Sequence, residues 1–150
     1  MISHGDLGHG RQTRSRGDGT NVEQLLAARI KEHPATLGLG DMDLKRVSWC
    51  SRQISLLLEN SAESVLFVVE VQLGATDEHH LIRLVERWLA ERNCQRRRHC
   101  SAVLVAQEIP PRYLSILQVI SRAVPLLALE MELSEGPVGV TLQFRHVGLR

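Results

Sequence analysis

The stretch Val65-Leu66-Phe67-Val68-Val69-Glu70-Val71-Gln72-Leu73 decides how this chain is read. All but two of its residues are apolar, and most are β-branched or aromatic. Such a run suits a strand in the middle of a sheet covered on both faces. Glu70 and Gln72 interrupt it two residues apart, which places both on one face. A carboxylate buried there without a partner costs on the order of several kcal/mol. Glu70 must therefore be hydrogen-bonded, paired with one of the many arginines, or held for a ligand such as a divalent metal.

Working outward, the polar turn Glu59-Asn60-Ser61 precedes this strand, and Leu44–Cys50 and Gln53–Leu58 read as two more strands. Their short connections predict an antiparallel meander. Upstream, Val22, Leu25, Leu26 and Ile30 carry a helical period from about Thr20 or Asn21, with Thr20 and Glu23 as a capping box. Pro34 and Gly38-Leu39-Gly40 close that helix. Downstream of Gly74, Thr76 is the expected N-cap of a second helix, with Asp77 and Glu78 in its first turn. Its wide apolar stripe is Leu81, Ile82, Leu84, Val85, Trp88 and Leu89.

Ser101–Ala106 reads as a buried strand. Pro110 and Pro111 open a third helix whose apolar face includes Leu114, Leu117, Val119 and Ile120, and Pro125 ends it. Leu126–Leu133 is a strand, Ser134-Glu135-Gly136-Pro137 a turn, and Val138–Phe144 a last strand at an edge. The order αβββαβαββ predicts an α/β fold, a mixed β-sheet flanked by helices, with a right-handed strand-helix-strand crossover.

The 150 residues suffice for one domain with a sizeable core. Apolar content of 43% with 23% charged residues is that expected of a soluble globular protein, and no apolar run is long enough to span a membrane. Residues 1–19 are nearly devoid of apolar side chains and are expected to be disordered, leaving a single domain over 20–150. No secretory leader is evident, and three cysteines cannot all pair, so a cytoplasmic setting is expected. The net charge of +1 conceals a basic cluster, Arg92, Arg96, Arg97, Arg98 and His99, besides Arg11, Arg14 and Arg16. Such a cluster can contact phosphates without base preference, and it can equally be a solvated loop.

The element order with a Glu-x-Gln third strand resembles the PD-(D/E)XK restriction-endonuclease-like superfamily, in particular bacterial members carrying the segment Glu70-Val71-Gln72-Leu73-Gly74-Ala75-Thr76-Asp77-Glu78. His80-x-Ile82-Arg83-x-x-Glu86-x-Trp88, Ala102–Ile109, Pro125-Leu126-x-Ala128-Leu129 and Pro34-x-x-Leu37-Gly38 extend the resemblance over about Thr20 to Leu133. The resemblance implies a Mg²⁺-dependent phosphodiesterase site, in which an Asp on the second strand and a Glu on the third hold the ion and a Lys aligns water. On that pattern Glu70 is the metal-binding carboxylate, Gln72 stands for the Lys, and Glu23 is the first-helix carboxylate. Ser55, in Gln53-Ile54-Ser55-Leu56-Leu57-Leu58, stands where the Asp is expected, and a neutral hydroxyl is a poor Mg²⁺ ligand. The implied reading is a nuclease-like, nucleic-acid-associated protein with an incomplete or degenerate site. It would bind Mg²⁺ or Mn²⁺ weakly and touch nucleic acid, DNA ahead of RNA, through Arg96, Arg97 and Arg98. The alternative is a non-catalytic interaction or regulatory module, or a homodimer, that keeps the fold.

Glu59 shares the strand parity of Ser55 but lies ~13 Å away along an extended strand. Asp41 and Asp43 could approach only through an unusual loop. His79 and His80 are adjacent and do not share a helix face. His80 could face the cleft beside Glu70, although a surface position is the expected one. Cys94, His99 and Cys100 have no Cys-x-x-Cys spacing and no evident fourth zinc ligand. Cys100 is expected as a small core residue, and so is Trp88.

Overall fold

The computed structural model describes residues 17–50 and 52–149, with side chains from residue 24 onward except at residue 50. The chain runs through α1 (Gly17–Glu32), a 3-10 turn (Pro34–Leu37), β1 (Asp43–Cys50), β2 (Gln53–Asn60) and β3 (Val65–Ala75). It continues with α2 (Glu78–Cys94), β4 (His99–Glu108), α3 (Pro111–Ile120), β5 (Leu126–Gly136) and β6 (Gly139–Val147). This is the αβββαβαββ order expected from the sequence. The strands form one mixed sheet in the order β1-β2-β3-β4-β5-β6. β1, β2 and β3 are an antiparallel meander, β3-β4 and β4-β5 are parallel, and β5-β6 is antiparallel.

Strand parity sorts the sheet's side chains onto two cores. Ile54, Leu56 and Leu58 of β2, Val69, Val71 and Leu73 of β3, and Val103 and Val105 of β4 join Leu26 and Ile30 of α1 on one face. Leu66 and Val68 of β3 and Ala102, Leu104 and Ala106 of β4 join Leu81, Leu84 and Trp88 of α2 and Tyr113 and Leu117 of α3 on the other. Small alanines in β4 admit α2 closely. Glu70 and Gln72 have the parity of Leu66 and Val68, so both belong to the α2 side of β3.

Several local expectations shift. α1 begins at Gly17 rather than Thr20, and the disorder expected for residues 1–19 otherwise falls outside the described residues. The apolar stripe of α2 is narrower than its composition implied, because Ile82 and Leu89 are exposed and only Leu81, Leu84, Trp88 and His80 are buried. On α3, Tyr113 takes the buried place expected of Val119, which is 62% exposed. The β5-β6 hairpin is tighter than expected. Ser134–Gly136 still pair in β5, and Pro137-Val138 form a two-residue loop between Gly136 and Gly139. Trp88 is core as expected, and its indole N–H donates to the Cys100 carbonyl at 2.8 Å.

Candidate functional site

The antiparallel register of β2 and β3 sets Ser55 directly opposite Glu70 and Gln53 opposite Gln72. Ser55 Oγ donates to Glu70 Oε2 at 2.9 Å. Glu70 is fully buried. Its remaining partners come from α2, and the start of that helix decides which ones. The Thr76 N–H is still tied to the Glu108 carbonyl at 2.9 Å, so Thr76 belongs to the strand end and does not cap. Asp77, in extended conformation, is the N-cap instead, and its carboxylate accepts the His80 N–H at 2.9 Å. Gly74 (φ +90°) lies within the register irregularity between Gln72 and Ala75 that precedes this cap, in a backbone region that other residues adopt at a cost.

From that start, His80, Arg83 and Arg87 fall at i, i+3 and i+7, one stripe of the helix facing β3. Arg87 Nε lies 2.8 Å from Glu70 Oε1, and Arg83 Nε 3.7 Å from Oε2. Neither approach has the alignment of a hydrogen bond, so both are close ion pairs and Oε1 has no hydrogen-bond donor of its own. His80 is also fully buried, and its ring Nε2–H donates to the Glu70 backbone carbonyl at 3.0 Å. A carbonyl can only accept, which assigns the proton to Nε2 and leaves Nδ1 bare. The expected surface position of His80 is therefore wrong. The same helix face that carries Leu84 and Trp88 into the core carries the imidazole with it.

Burial pushes the Glu70 carboxyl above its ordinary pKa, and the Ser55 hydrogen bond and the Arg87 and Arg83 charges oppose that rise. Burial also lowers the His80 pKa to about 4, with the Glu70 carbonyl opposing, so the imidazole is neutral at neutral pH. At Asp77 burial works upward, but the bond from the His80 N–H, with the Gln72 amide and the histidine charges, holds the carboxyl below its ordinary range.

Ser55, Glu70 and Arg87 line a groove of about 410 Å³ between β1-β2 and α2, together with Arg46, Ser48 and Glu91. Arg46 pairs with Glu91 across it. Gln72 does not join Glu70. Its amide nitrogen donates to the Ala75 carbonyl at 2.6 Å, and it lines a neighbouring cavity of about 370 Å³ with Arg52, Gln53 and Asp77. Arg96 and Arg97 are exposed in the α2-β4 connection, whereas Arg98 pairs with Glu59. Lys45 Nζ also reaches Glu59 at 3.0 Å, and these two partners hold the Glu59 carboxyl low. Asp43 is opposite Glu59 in the sheet, far along β2 from Ser55. The Glu23 side chain lies outside the described side chains. Among the described residues no group of three His, Cys, Asp or Glu could hold a metal ion, consistent with Cys94 exposed and Cys100 buried separately.

The residues around Glu70 do not fit a divalent cation. Hard cations take oxygen ligands, usually with more than one carboxylate. Here one carboxylate is shared by a hydroxyl and two guanidiniums, all within 4 Å. Arg87 was not singled out in the sequence, and Arg83 only as part of a likeness. The detectable signal was the spacing His80, Arg83, Arg87 on a helix following a strand with a buried Glu.

No family model matches the chain, and no curated protein matches it. Among solved structures it is similar to that of EndoMS in apo form, with a TM-score of 0.57 and 17% identity over 72% of this chain. The match spans 46% of the EndoMS chain, less than half its length. With the sheet order and helices above, this likeness shows a mixed α/β fold of the restriction-endonuclease-like kind.

Proposed function

We propose that this chain is a nucleic-acid-associated module that keeps a nuclease fold and does not cleave. The observation that carries the reading is the engagement of Glu70 by Ser55 at 2.9 Å and by Arg87 at 2.8 Å, on the floor of an open groove. The buried carboxylate of the site is thereby committed to protein cations, and a Mg²⁺ or Mn²⁺ ion would have to compete with them. Arg87 and Arg46 line the groove, Arg52 lines the neighbouring cavity beside Gln72, and Arg96 and Arg97 are exposed in the α2-β4 connection. The eight residues from Arg52 to Glu59 span roughly 23 Å of strand, a length suited to several backbone phosphates.

The test is fluorescence anisotropy with labelled duplex DNA, single-stranded DNA and structured RNA, with Mg²⁺ present and the strands analysed for cleavage afterwards. Intact strands and salt-dependent binding are expected, with duplex DNA bound best. Arg96→Ala/Arg97→Ala should flatten the salt dependence by about 0.9 for each phosphate that is no longer neutralised. Mg²⁺-dependent cleavage that disappears in Glu70→Gln would make the site catalytic. Absence of binding at low salt would remove nucleic acid from the reading.

A further inference from the structure

The Glu70 cluster carries three charges within 4 Å, one carboxylate and two guanidiniums, for a local sum of +1. Arg83 is three-quarters buried at the side chain, and its Nε and one terminal nitrogen have no hydrogen-bond partner. Nothing in a surface ion pair requires such a position. A divalent ion in place of the two guanidiniums would give the same local sum of +1 beside Glu70, at the same point between β2, β3 and α2.

We propose that the Arg87 and Arg83 guanidiniums are a built-in replacement for a divalent metal at Glu70, fastening α2 to the sheet without any ion. The inference deepens the non-cleaving reading and rests on it, but its test uses no nucleic acid. Failure of binding and failure of charge replacement are thus separate results.

Adding a carboxylate where Ser55 stands distinguishes an arginine site from a metal site. If the guanidiniums are the cation, Ser55→Asp brings their local charge from +1 to zero. The variant should then melt no lower than the native protein in chelator. It should also ignore Mn²⁺, because both carboxylates already have protein partners. If the guanidiniums do not fill the site, two carboxylates on facing strands repel. The variant should then melt several degrees lower in chelator and recover with Mn²⁺.

The measurement is the melting temperature of the native protein, Ser55→Asp and Ser55→Asp/Arg87→Ala, each in chelator and in millimolar Mn²⁺. Only the double variant should respond to the ion. A site half-filled at a hundredth of the ion concentration raises its melting temperature by roughly 5–10 °C. Stabilisation of the native protein by Mn²⁺ that is lost in Glu70→Gln would overturn the proposal. So would a response of Ser55→Asp as large as that of the double variant. If the double variant does not fold, Ser55→Asp alone decides: metal-independent melting at or above the native value supports the proposal, and a metal-rescued loss overturns it.

Discussion

Arg87→Met isolates the charge of Arg87, because methionine keeps the unbranched stem over the groove and removes the guanidinium. Deleting one partner of a fully buried ion pair typically costs about 3–5 kcal/mol. Arg87 is 48% exposed while Glu70 is fully buried, and Arg83 remains 3.7 Å from the other carboxylate oxygen. Solvent screening on one side and the surviving cation reduce the expected loss to about 1–2 kcal/mol. For a chain of 150 residues this lowers the melting temperature by roughly 2–8 °C. Glu70→Gln can keep the hydrogen bond to Ser55 and removes the buried charge, so Arg87→Met should cost much less in that background. Chemical denaturation of the native protein, both single variants and the double variant closes the cycle. The coupling should be about 1 kcal/mol or more in favour of the pair. A coupling below about 0.3–0.5 kcal/mol, the range of independent sites, would refute the argument that Arg87 holds the Glu70 charge.

His80 supplies a pH dependence whose sign follows from its lowered pKa. The folded state stays neutral down to about pH 4 while the unfolded chain protonates near 6.5, so stability falls as pH falls through that window. The loss reaches about 3 kcal/mol; burial and the Arg83 charge lower the ring's pKa, and the Glu70 carbonyl and Asp77 oppose them. The raised Glu70 carboxyl acts in the opposite sense, its contribution present at low pH and lost as pH rises through the folded pKa, so denaturation of native protein against His80→Leu across pH 4–7 should show the steeper acid limb only in the native chain. Asp77→Ala removes the α2 cap and should cost about 1 kcal/mol by the same measurement, whereas Thr76→Ala should leave the cap intact. Leu104→Ala, at a fully buried position of β4, should cost about 2–5 kcal/mol, and a value near zero would contradict the second core.

The sheet was legible because strand parity and short loops act locally. Val65–Leu73 announces a central strand by composition, and the meander follows from connections too short for anything else. The pairing of Ser55 with Glu70 came from aligning two strands against a known pattern, and the register bears it out. The ends of α2 were harder. Thr76 and Asp77 are both good caps on propensity, and the choice between them was made by a hydrogen bond from Thr76 to Glu108, which is 32 residues away in sequence. Val119 and Tyr113 of α3 show the same limit. Either suits an apolar face, and only the folded packing decides that Tyr113 is buried and Val119 is exposed.

The identity of the group that balances Glu70 depended on a helix-to-strand alignment that no short window contains. On the family resemblance, Ser55 stands where a carboxylate is expected and Gln72 where a lysine is expected. Read along the strands alone, both losses suggest a site that has decayed. In three dimensions Arg83 and Arg87 bring positive charge from α2 to the Glu70 carboxylate. Glu70 has two cations from α2 beside its carboxylate, a hydroxyl from β2 on Oε2 and a histidine on its backbone carbonyl. That arrangement is what a fold needs if the groove beneath α2 is to keep its shape without an ion.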